Sequence, residues 1–328
     1  MTVIGSFETD YETATERAGL LDRSDRGKLA LTGSGAKVFL QGQVSNDVVA
    51  LTPGTGCYAA FLTAKGKMLG DLRILDTGAE LLLDTERAAL QELFNMIRRF
   101  SIGYEVELHK RTLESGLLSL IGPGADEVVM AAAAPSRVAP TDAEHAHLAG
   151  RIGRTDVRLI RTDTGIDVLC DADAVDAVRA ALLDAGAAEI GAEAAECVRI
   201  EHGRPRYGVD IDESVIPQEA GLNERAVSFT KGCYVGQETV ARLFYKGKPN
   251  RELRGLRGAE PIDAGAVLTH QGREVGRVTS AANSPRLGPI ALALVRREAP
   301  VGTTVDAGDA GRAEVVALPF PDVGRERG

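Results

Sequence analysis

Between residues 26 and 111, the pattern of apolar and polar residues alternates between segments typical of strands and a segment typical of a helix. The stretches KLALTG, CYAAFLT, LGDLRILDT, ELLLDT and YEVELHK have the length and composition of strands. Helical spacing then joins four apolar residues, Leu90, Leu93, Phe94 and Ile97. This spacing predicts a helix that begins near Thr85, whose hydroxyl would cap it ahead of Glu86. We therefore expect a first α+β layer over residues 26–111.

A second alternation fills residues 112–246, with strand-like GLLSLIG, RTDVRLIRT and GIDVLC and helix-like DAVDAVRAALLDAG and EAAECVRIEHG. It predicts a second α+β layer, to which the N-terminal helix is assigned. Two such layers packed together would leave a central cavity, although the similarity between the halves is too weak to demonstrate a repeat. Short β-like runs separated by Gly and Pro predict a small barrel over residues 250–320, with the boundary at 246–250. The expected fold class is α+β: two pseudo-symmetric layers and a C-terminal β-barrel.

Composition narrows the class of protein. Apolar residues make up 44% and charged residues 26% of the 328 positions, as in an ordinary globular protein. The net charge of −9 argues against nucleic acid as a partner, because such binding needs a basic field. The opening segment lacks an apolar run of signal-peptide length, and no stretch reaches the length of a membrane span. We expect a cytoplasmic protein with no membrane partner.

The four cysteines are Cys57, Cys170, Cys197 and Cys233, and none forms a CxxC pair. Neither a zinc ribbon nor a disulfide framework is indicated. Cys170 and Cys197 lie in apolar stretches and are expected to pack as small hydrophobic residues. The nearest histidine pair lies in DAEHAHL, where no metal site is expected.

Chemistry is concentrated between residues 199 and 247, and above all in KGCYVGQE, Lys231 to Glu238. Gly232 and Gly236 bracket Cys233, and a helix is predicted to begin just after the thiol. The helix dipole and Lys231 would both favour the thiolate. We therefore interpret Cys233 as a reactive thiol, against the alternative of a small hydrophobic residue between two turns.

KGCYVGQE is similar to the signature of YgfZ-type proteins, a branch of the glycine-cleavage T-protein superfamily. RIEHGRPRYGVDID, IPQEAGLN, QGQVSNDV and LTAKGKMLGDL also resemble stretches of that superfamily, so the resemblance covers residues from about 20 to 318. YgfZ-type proteins bind folate and are associated with the assembly or repair of iron–sulfur clusters.

The resemblance implies tetrahydrofolate or a one-carbon-substituted folate in the central cavity, with iron–sulfur proteins or their assembly machinery as partners. Cys233 and Lys231 would be the catalytic residues. The folate-binding candidates are Asn46, Asp47, Asp71, Arg199, Gln237 and Glu238. Asn46 is assigned to the polar heterocycle, and Arg199 or Lys231 to the anionic glutamate tail. Gln237 and Glu238 are expected to fix the cysteine loop.

One departure from the superfamily bears on the reaction. Its aminomethyltransferases carry two consecutive aspartates after a glycine turn, and the first is taken as the acid-base residue. Here Gly70 and Asp71 occupy those positions. Gly70 cannot move a proton, and Asp71 would face the opposite side of a strand, solvated beside Arg73 or Lys67, unless a bulge turns it inward.

The leading hypothesis is therefore a tetrahydrofolate-binding protein that acts in iron–sulfur cluster assembly or repair through Cys233. With one cysteine in a candidate site, a stable cluster held by this chain alone is not expected. Two alternatives stay open: a folate-dependent aminomethyltransferase of the glycine cleavage system, and a non-catalytic folate-sensing scaffold. If the protein is an enzyme, one-carbon or sulfur transfer is expected. Dinucleotide and phosphate-loop sites are excluded, because GSG at residues 33–35 lacks its third glycine and GxxxxGK[ST] does not occur.

Overall fold

The computed structural model describes residues 6–133, 135–136, 138–308 and 311–320. Within them the chain divides into two compact units. The first contains the residues up to Leu62, then Leu69–Ala195 and Arg225–Val235. The second contains Thr63–Met68, Glu196–Glu224 and the residues from Gly236 onward. The chain thus passes from one unit to the other several times.

Two sheets with their helices build the first unit. The helices up to residue 184 are α1 (Phe7–Glu16), α2 (Ala36–Gln41), α3 (Leu90–Phe100), α4 (Ala125–Ala132) and α5 (Val175–Asp184). The strands are β1 (Gly19–Asp22), β2 (Gly27–Thr32), β3 (Thr55–Leu62), β4 (Met68–Asp76), β5 (Leu81–Thr85), β6 (Glu107–Lys110), β7 (Ser115–Ile121), β8 (His147–Ile152), β9 (Thr155–Arg161), β10 (Gly165–Asp171) and β11 (Ala188–Glu189). One sheet has the order β3-β4-β5-β2-β6 and the other β11-β1-β7-β10-β9-β8. The second sheet is mixed, because β1 pairs in parallel with β11 and antiparallel with β7.

Apolar faces of these elements form the cores that hold the sheets. In the six-stranded sheet, Leu118 and Val168 pack with Val178 and Leu182 of α5, and all four are fully buried. Burying such side chains stabilises the fold by about 1.5–3 kcal/mol each. The sheet positions in this unit are therefore fixed by ordinary hydrophobic packing.

The helix predicted from the spacing of apolar residues is confirmed as α3, but it does not begin near Thr85 as predicted. Leu93 and Ile97 are fully buried. The helix begins at Leu90 after a 3₁₀ turn over Arg87–Ala89, so Thr85 does not cap it. Thr85 ends β5, and its hydroxyl donates a hydrogen bond to the backbone oxygen of Asp71 instead.

The second unit is dominated by a closed barrel. Its strands are β12 (Arg251–Gly258), β13 (Val267–His270), β14 (Arg273–Ser284), β15 (Gly288–Arg296), β16 (Thr304–Ala307) and β17 (Arg312–Val316). They close in the order β12-β15-β14-β13-β16-β17 around a core that includes Leu256, Leu268 and Val278. Closure leaves no free sheet edge. The predicted fold class, α+β with a C-terminal barrel, is confirmed.

Three further helices follow the first eleven strands, in the part of the chain that contains the signature. They are α6 (Ala192–Glu201), α7 (Asn223–Ala226) and α8 (Gln237–Lys246). None of the helices in the described part of the chain is long and apolar enough to cross a membrane. The cysteine loop lies between α7 and α8.

Candidate functional site

The most unusual group of the first unit is a buried carboxyl on β4. Asp71 is 5% exposed, and the Tyr58 hydroxyl on β3 donates a hydrogen bond of 2.5 Å to its Oδ2 atom. Burial raises the pKa of Asp71 to about 6, although the hydrogen bond from Tyr58 and the positive charge of Arg26 lower it. A carboxyl group with this pKa exchanges its proton near neutral pH.

Gly70 faces the other side of the strand, against a closed core. A Cβ atom at this position would lie 2.5 Å from two ring atoms of Phe61 and 2.6 Å from the Cβ atom of Ala89. Position 70 therefore has no room for an acid-base residue. The protonatable carboxyl of this strand is on the opposite face, the one that carries Asp71.

Arg73, two residues along β4 from Asp71, is engaged in an ion-pair network with other carboxylates. The Arg73 guanidinium bridges Asp84, at 2.7 Å, and Asp167, at 2.8 Å. Arg26 donates to the other oxygen of Asp84 at 2.8 Å, and these two arginines hold the pKa of Asp84 well below its usual range. Because Asp71 is buried and Arg73 pairs with other carboxylates, the expectation that Asp71 is solvated is wrong.

Asn46 and Arg225 form the rim above Tyr58. The amide of Asn46 donates to the backbone oxygens of Tyr58, at 2.8 Å, and of Arg225, at 3.2 Å. The guanidinium of Arg225 lies 5.3 Å from the centre of the Tyr58 ring and forms an ion pair with Glu144. Asn46 thus joins β3 to α7, and its amide hydrogens are both used within the protein.

Asp47 and Cys57 lie beside this rim. Asp47 accepts hydrogen bonds through Oδ1 from the Gln41 amide, at 3.0 Å, and from the backbone nitrogen of Ala50, at 3.2 Å. Burial raises the pKa of the half-buried Cys57 thiol to about 12, and the charge of Asp47 adds to this rise. Cys57 is therefore a protonated thiol at neutral pH.

Lys231 holds the cysteine loop in place. Its ammonium group donates to the backbone oxygens of Gln41, Val44 and Asn46 at 2.6, 2.7 and 2.7 Å. Burial lowers its pKa to about 8. Because these three bonds use all three N–H groups, Lys231 has none left for an anionic tail or a thiolate.

Cys233 is exposed, whereas Cys57 is half-buried and the other two thiols are buried. It lies in a loop that ends at Gly236, whose positive φ of 85° starts α8. Gln237 is the first residue of that helix, and Glu238 lies exposed in its first turn. The roles of these three side chains stay predictions.

Arg199 lies in the second unit and is fully engaged there. Its five N–H groups bond to both oxygens of Glu196, to Asp210 at 2.7 Å, to Ser280 at 2.8 Å and to the backbone oxygen of Arg204. Asp210 in turn accepts from Thr279 and Ser280 of β14. Arg199 thus connects α6 to the barrel, and its assignment to a ligand's tail stays a prediction.

Sequence reasoning missed three polar residues of the site: Tyr58, His145 and Arg225. Tyr58 stood in a stretch that was interpreted only as a strand. Its alternation with Cys57 indicated that the two side chains face opposite sides, which was the available signal. His145 lies in a turn and Arg225 in the four-residue helix α7, and neither segment is long enough for a period to predict the direction of a side chain.

The fold and the site define a two-part class of protein, an α+β region with a buried, hydrogen-bonded carboxyl followed by a barrel. The family description GCVT N-terminal domain matches residues 3–231, and Glycine cleavage T-protein C-terminal barrel domain matches residues 251–322. The chain therefore belongs to the glycine cleavage T-protein family.

Relatives of known name agree with this. An aminomethyltransferase of Geobacillus kaustophilus is 31% identical, over 96% of this chain and 90% of the relative. A putative chloroplastic transferase of Arabidopsis thaliana is 26% identical, over 97% and 75% of the two chains. The crystal structure of the glycine cleavage system aminomethyltransferase T from Bartonella henselae superposes with a TM-score of 0.85, at 26% identity, over 96% of this chain and 89% of that one.

Proposed function

We propose that this protein is a folate-dependent aminomethyltransferase, with Asp71 as its acid-base residue. The observation that carries the proposal is the buried Asp71 carboxyl, whose pKa is raised to about 6 and which Tyr58 orients. Relatives named aminomethyltransferase support the reaction class. These relatives support the aminomethyltransferase alternative better than they support a role in iron–sulfur cluster assembly or repair, which was the leading hypothesis from the sequence.

The donor set of the site fits a polar heterocycle. Tyr58 and Arg225 present aromatic and cationic groups that are only partly covered, and Asp71 beneath them can hold or release a proton. Tetrahydrofolate, or a one-carbon-substituted form of it, would supply the nitrogen that accepts the one-carbon unit. Asn46 would act indirectly, since it fixes the rim instead of contacting the ligand.

Asp71 would move one proton through its carboxyl oxygens. As a carboxylate it takes a proton from an amine in the site, and as the acid it returns that proton to the departing group. Its surroundings exclude bulk water, which strengthens its interaction with a developing positive charge. The hydrogen bond from Tyr58 keeps the carboxyl in one orientation through this exchange.

The test is the variant Asp71→Asn, which keeps the size of the side chain and an acceptor for Tyr58. With an aminomethyl-dihydrolipoyl carrier and tetrahydrofolate, we expect kcat to fall by about 10²–10⁴, the usual contribution of general acid-base catalysis. Ammonia release and formation of the methylene folate are measured together. Tetrahydrofolate affinity by calorimetry should change little.

Asp212→Asn, in the second unit, is the matched control and should keep wild-type turnover. Wild-type protein that binds tetrahydrofolate but releases no ammonia from the carrier would reject the transferase. An Asp71→Asn variant with wild-type turnover would reject the assigned acid-base residue.

A second function is favoured by one observation, the exposure of Cys233 within the KGCYVGQE signature. It would be a folate-dependent role in iron–sulfur cluster assembly or repair, with iron–sulfur proteins as partners. The measurement is the activity of iron–sulfur enzymes in cells whose only copy of this protein carries Cys233→Ser, compared with Cys57→Ser. Loss with the first variant alone would support the thiol, whereas full activity with Cys233→Ser would favour the folate-sensing scaffold.

A further inference from the structure

An open pocket lies wholly within the second unit, where the segment after α8 meets β12 and the turn that follows β15. Its volume is about 390 Å³, within the range of small-molecule sites. The charged residues that line it are Lys248, Glu252, Arg254, Arg296 and Arg297. Four cations and one carboxylate give the pocket a net charge of +3, in a chain whose net charge is −9.

Three of these four cations have no partner among the described residues. Arg254 pairs with Glu252 on the same strand. The side chains of Lys248, Arg296 and Arg297 make no hydrogen bond or ion pair with any other described residue. Burial lowers the pKa of Arg254 even beside its carboxylate, so this one ion pair does not offset the loss of water around the guanidinium. The pocket therefore carries positive charge that the described part of the chain does not neutralise.

The strand register adds to this charge. Arg251 of β12 lies directly opposite Arg296 of β15, and like charges in that arrangement destabilise a sheet. Arg251 has partners of its own, since it donates to the backbone oxygen of Ser214 at 2.9 Å and lies 3.4 Å from Glu219. Arg296 lines the pocket instead, and the exposed Glu298 of the following turn forms no ion pair with it. An anion bound in the pocket would offset the repulsion between the two arginines.

Backbone hydrogen bonds fix the segments that carry these side chains. The nitrogen of Arg297 donates to the backbone oxygen of Asn250 at 3.1 Å, which joins the turn after β15 to the residue before β12. The nitrogen of Ala299 donates to the backbone oxygen of Arg296 at 3.0 Å and closes that turn. Pro249 and Ala299 are buried and form part of the wall. Segments held in this way need little ordering when a ligand binds.

The charge and the donors of the pocket match a phosphate group. A phosphate monoester carries a charge of about −1.5 to −2 at neutral pH, and guanidinium groups bind its oxygens through paired N–H donors. A single carboxylate has one charge and would neutralise less of the lining. We propose that this pocket, with Arg296 and Arg297 as its main donors, binds the phosphate group of a small molecule. The pocket belongs to the second unit and Asp71 to the first, so the inference goes beyond the proposed function and does not rest on it.

The test is a titration of the whole protein with glycerol 3-phosphate and with inorganic phosphate, followed by phosphorus NMR line widths at constant ionic strength. Wild-type protein should bind at least one of them saturably. Arg296→Gln and Arg297→Gln should each weaken that binding by at least about tenfold, the scale of one charge-assisted hydrogen bond. Both arginines are exposed, so these variants should fold normally. Tighter binding of glycerol 3-phosphate would identify a phosphate monoester as the ligand, and tighter binding of inorganic phosphate would identify the free ion.

Arg273→Gln on β14 is the matched control, because it removes an exposed arginine of the same barrel that does not line the pocket. It should keep the wild-type affinity. Wild-type protein that binds neither phosphate compound overturns the site. An equal loss in Arg273→Gln and in the two pocket variants would show attraction by general charge alone, and it would overturn the site as well. Tighter binding of succinate, a dicarboxylate, than of either phosphate compound would overturn the assignment to phosphate.

Discussion

Asp71 and Gly70 are neighbours on β4 and face opposite sides of the sheet. Strand alternation predicted that opposition, but it could not tell which face holds the site. That information lies in Phe61 and Ala89, which fill one face, and in Tyr58, which meets the other. The site carboxyl was therefore named from the sequence, while its environment was not.

The close packing around Gly70 on β4 predicts that a larger side chain at this position lowers the free energy of unfolding. Gly70→Ala places a methyl group within 2.6 Å of Phe61 and Ala89, and overpacking of this kind costs about 1–3 kcal/mol. Urea unfolding should show a lower midpoint. Gly232→Ala, where an added Cβ has no neighbour within 4 Å, is the control and should change stability far less. Equal effects of the two variants would contradict the packing argument.

At the scale of elements, polar side chains connect segments that are distant in sequence. Lys231 joins the loop around residues 41–46 to the cysteine loop, and Ser45 supports it by donating to the backbone oxygen of Ala226. Motif matching found Lys231 and Arg199 but assigned both to a ligand. The sequence alone cannot reveal that the N–H groups of both side chains bond within the protein, because the oxygens that accept these bonds come close to them only in the folded chain.

Arg199 offers a direct test of that distinction. Arg199→Met leaves the fully buried Asp210 carboxylate without its cation, which should destabilise the protein by about 3–5 kcal/mol. Arg206→Met, which removes an exposed partner of Glu196, should cost no more than about 1 kcal/mol. Urea unfolding measures both. If Arg199 instead binds an anionic tail, its variant will lose tetrahydrofolate affinity while keeping its stability.

For the whole molecule, the sequence predicted the fold class because repeated strands, helices and turn-rich runs have distinct periods. The charged interior of the first unit could not be predicted this way. Arg26, Arg73, Asp84 and Asp167 stand at separate positions in the sequence. The pairing of β4 with β5 brings Arg73 beside Asp84, and Asp167 belongs to the other sheet of this unit. Local patterns carry no information about such long-range pairs.

The buried carboxyl makes the stability of the molecule depend on pH. The folded-state pKa of Asp71 is raised from 3.8 to about 6, so its stabilising contribution is complete below about pH 4 and is lost as pH rises through 6. The loss is about 3 kcal/mol for a shift of about two units. Urea unfolding from pH 4 to 7 should show this fall relative to Asp71→Asn. Parallel curves for the two proteins would contradict the raised pKa.

The interleaved chain path has a consequence during synthesis. The first unit needs Arg225–Val235 in addition to its long N-terminal stretches, and residues of the second unit lie on both sides of that segment. While the chain grows on the ribosome, the first unit therefore cannot close until about 235 residues have emerged from the exit tunnel. Nascent chains that stall earlier would expose the unfinished Tyr58 rim to chaperones and proteases, because its Arg225 is still missing.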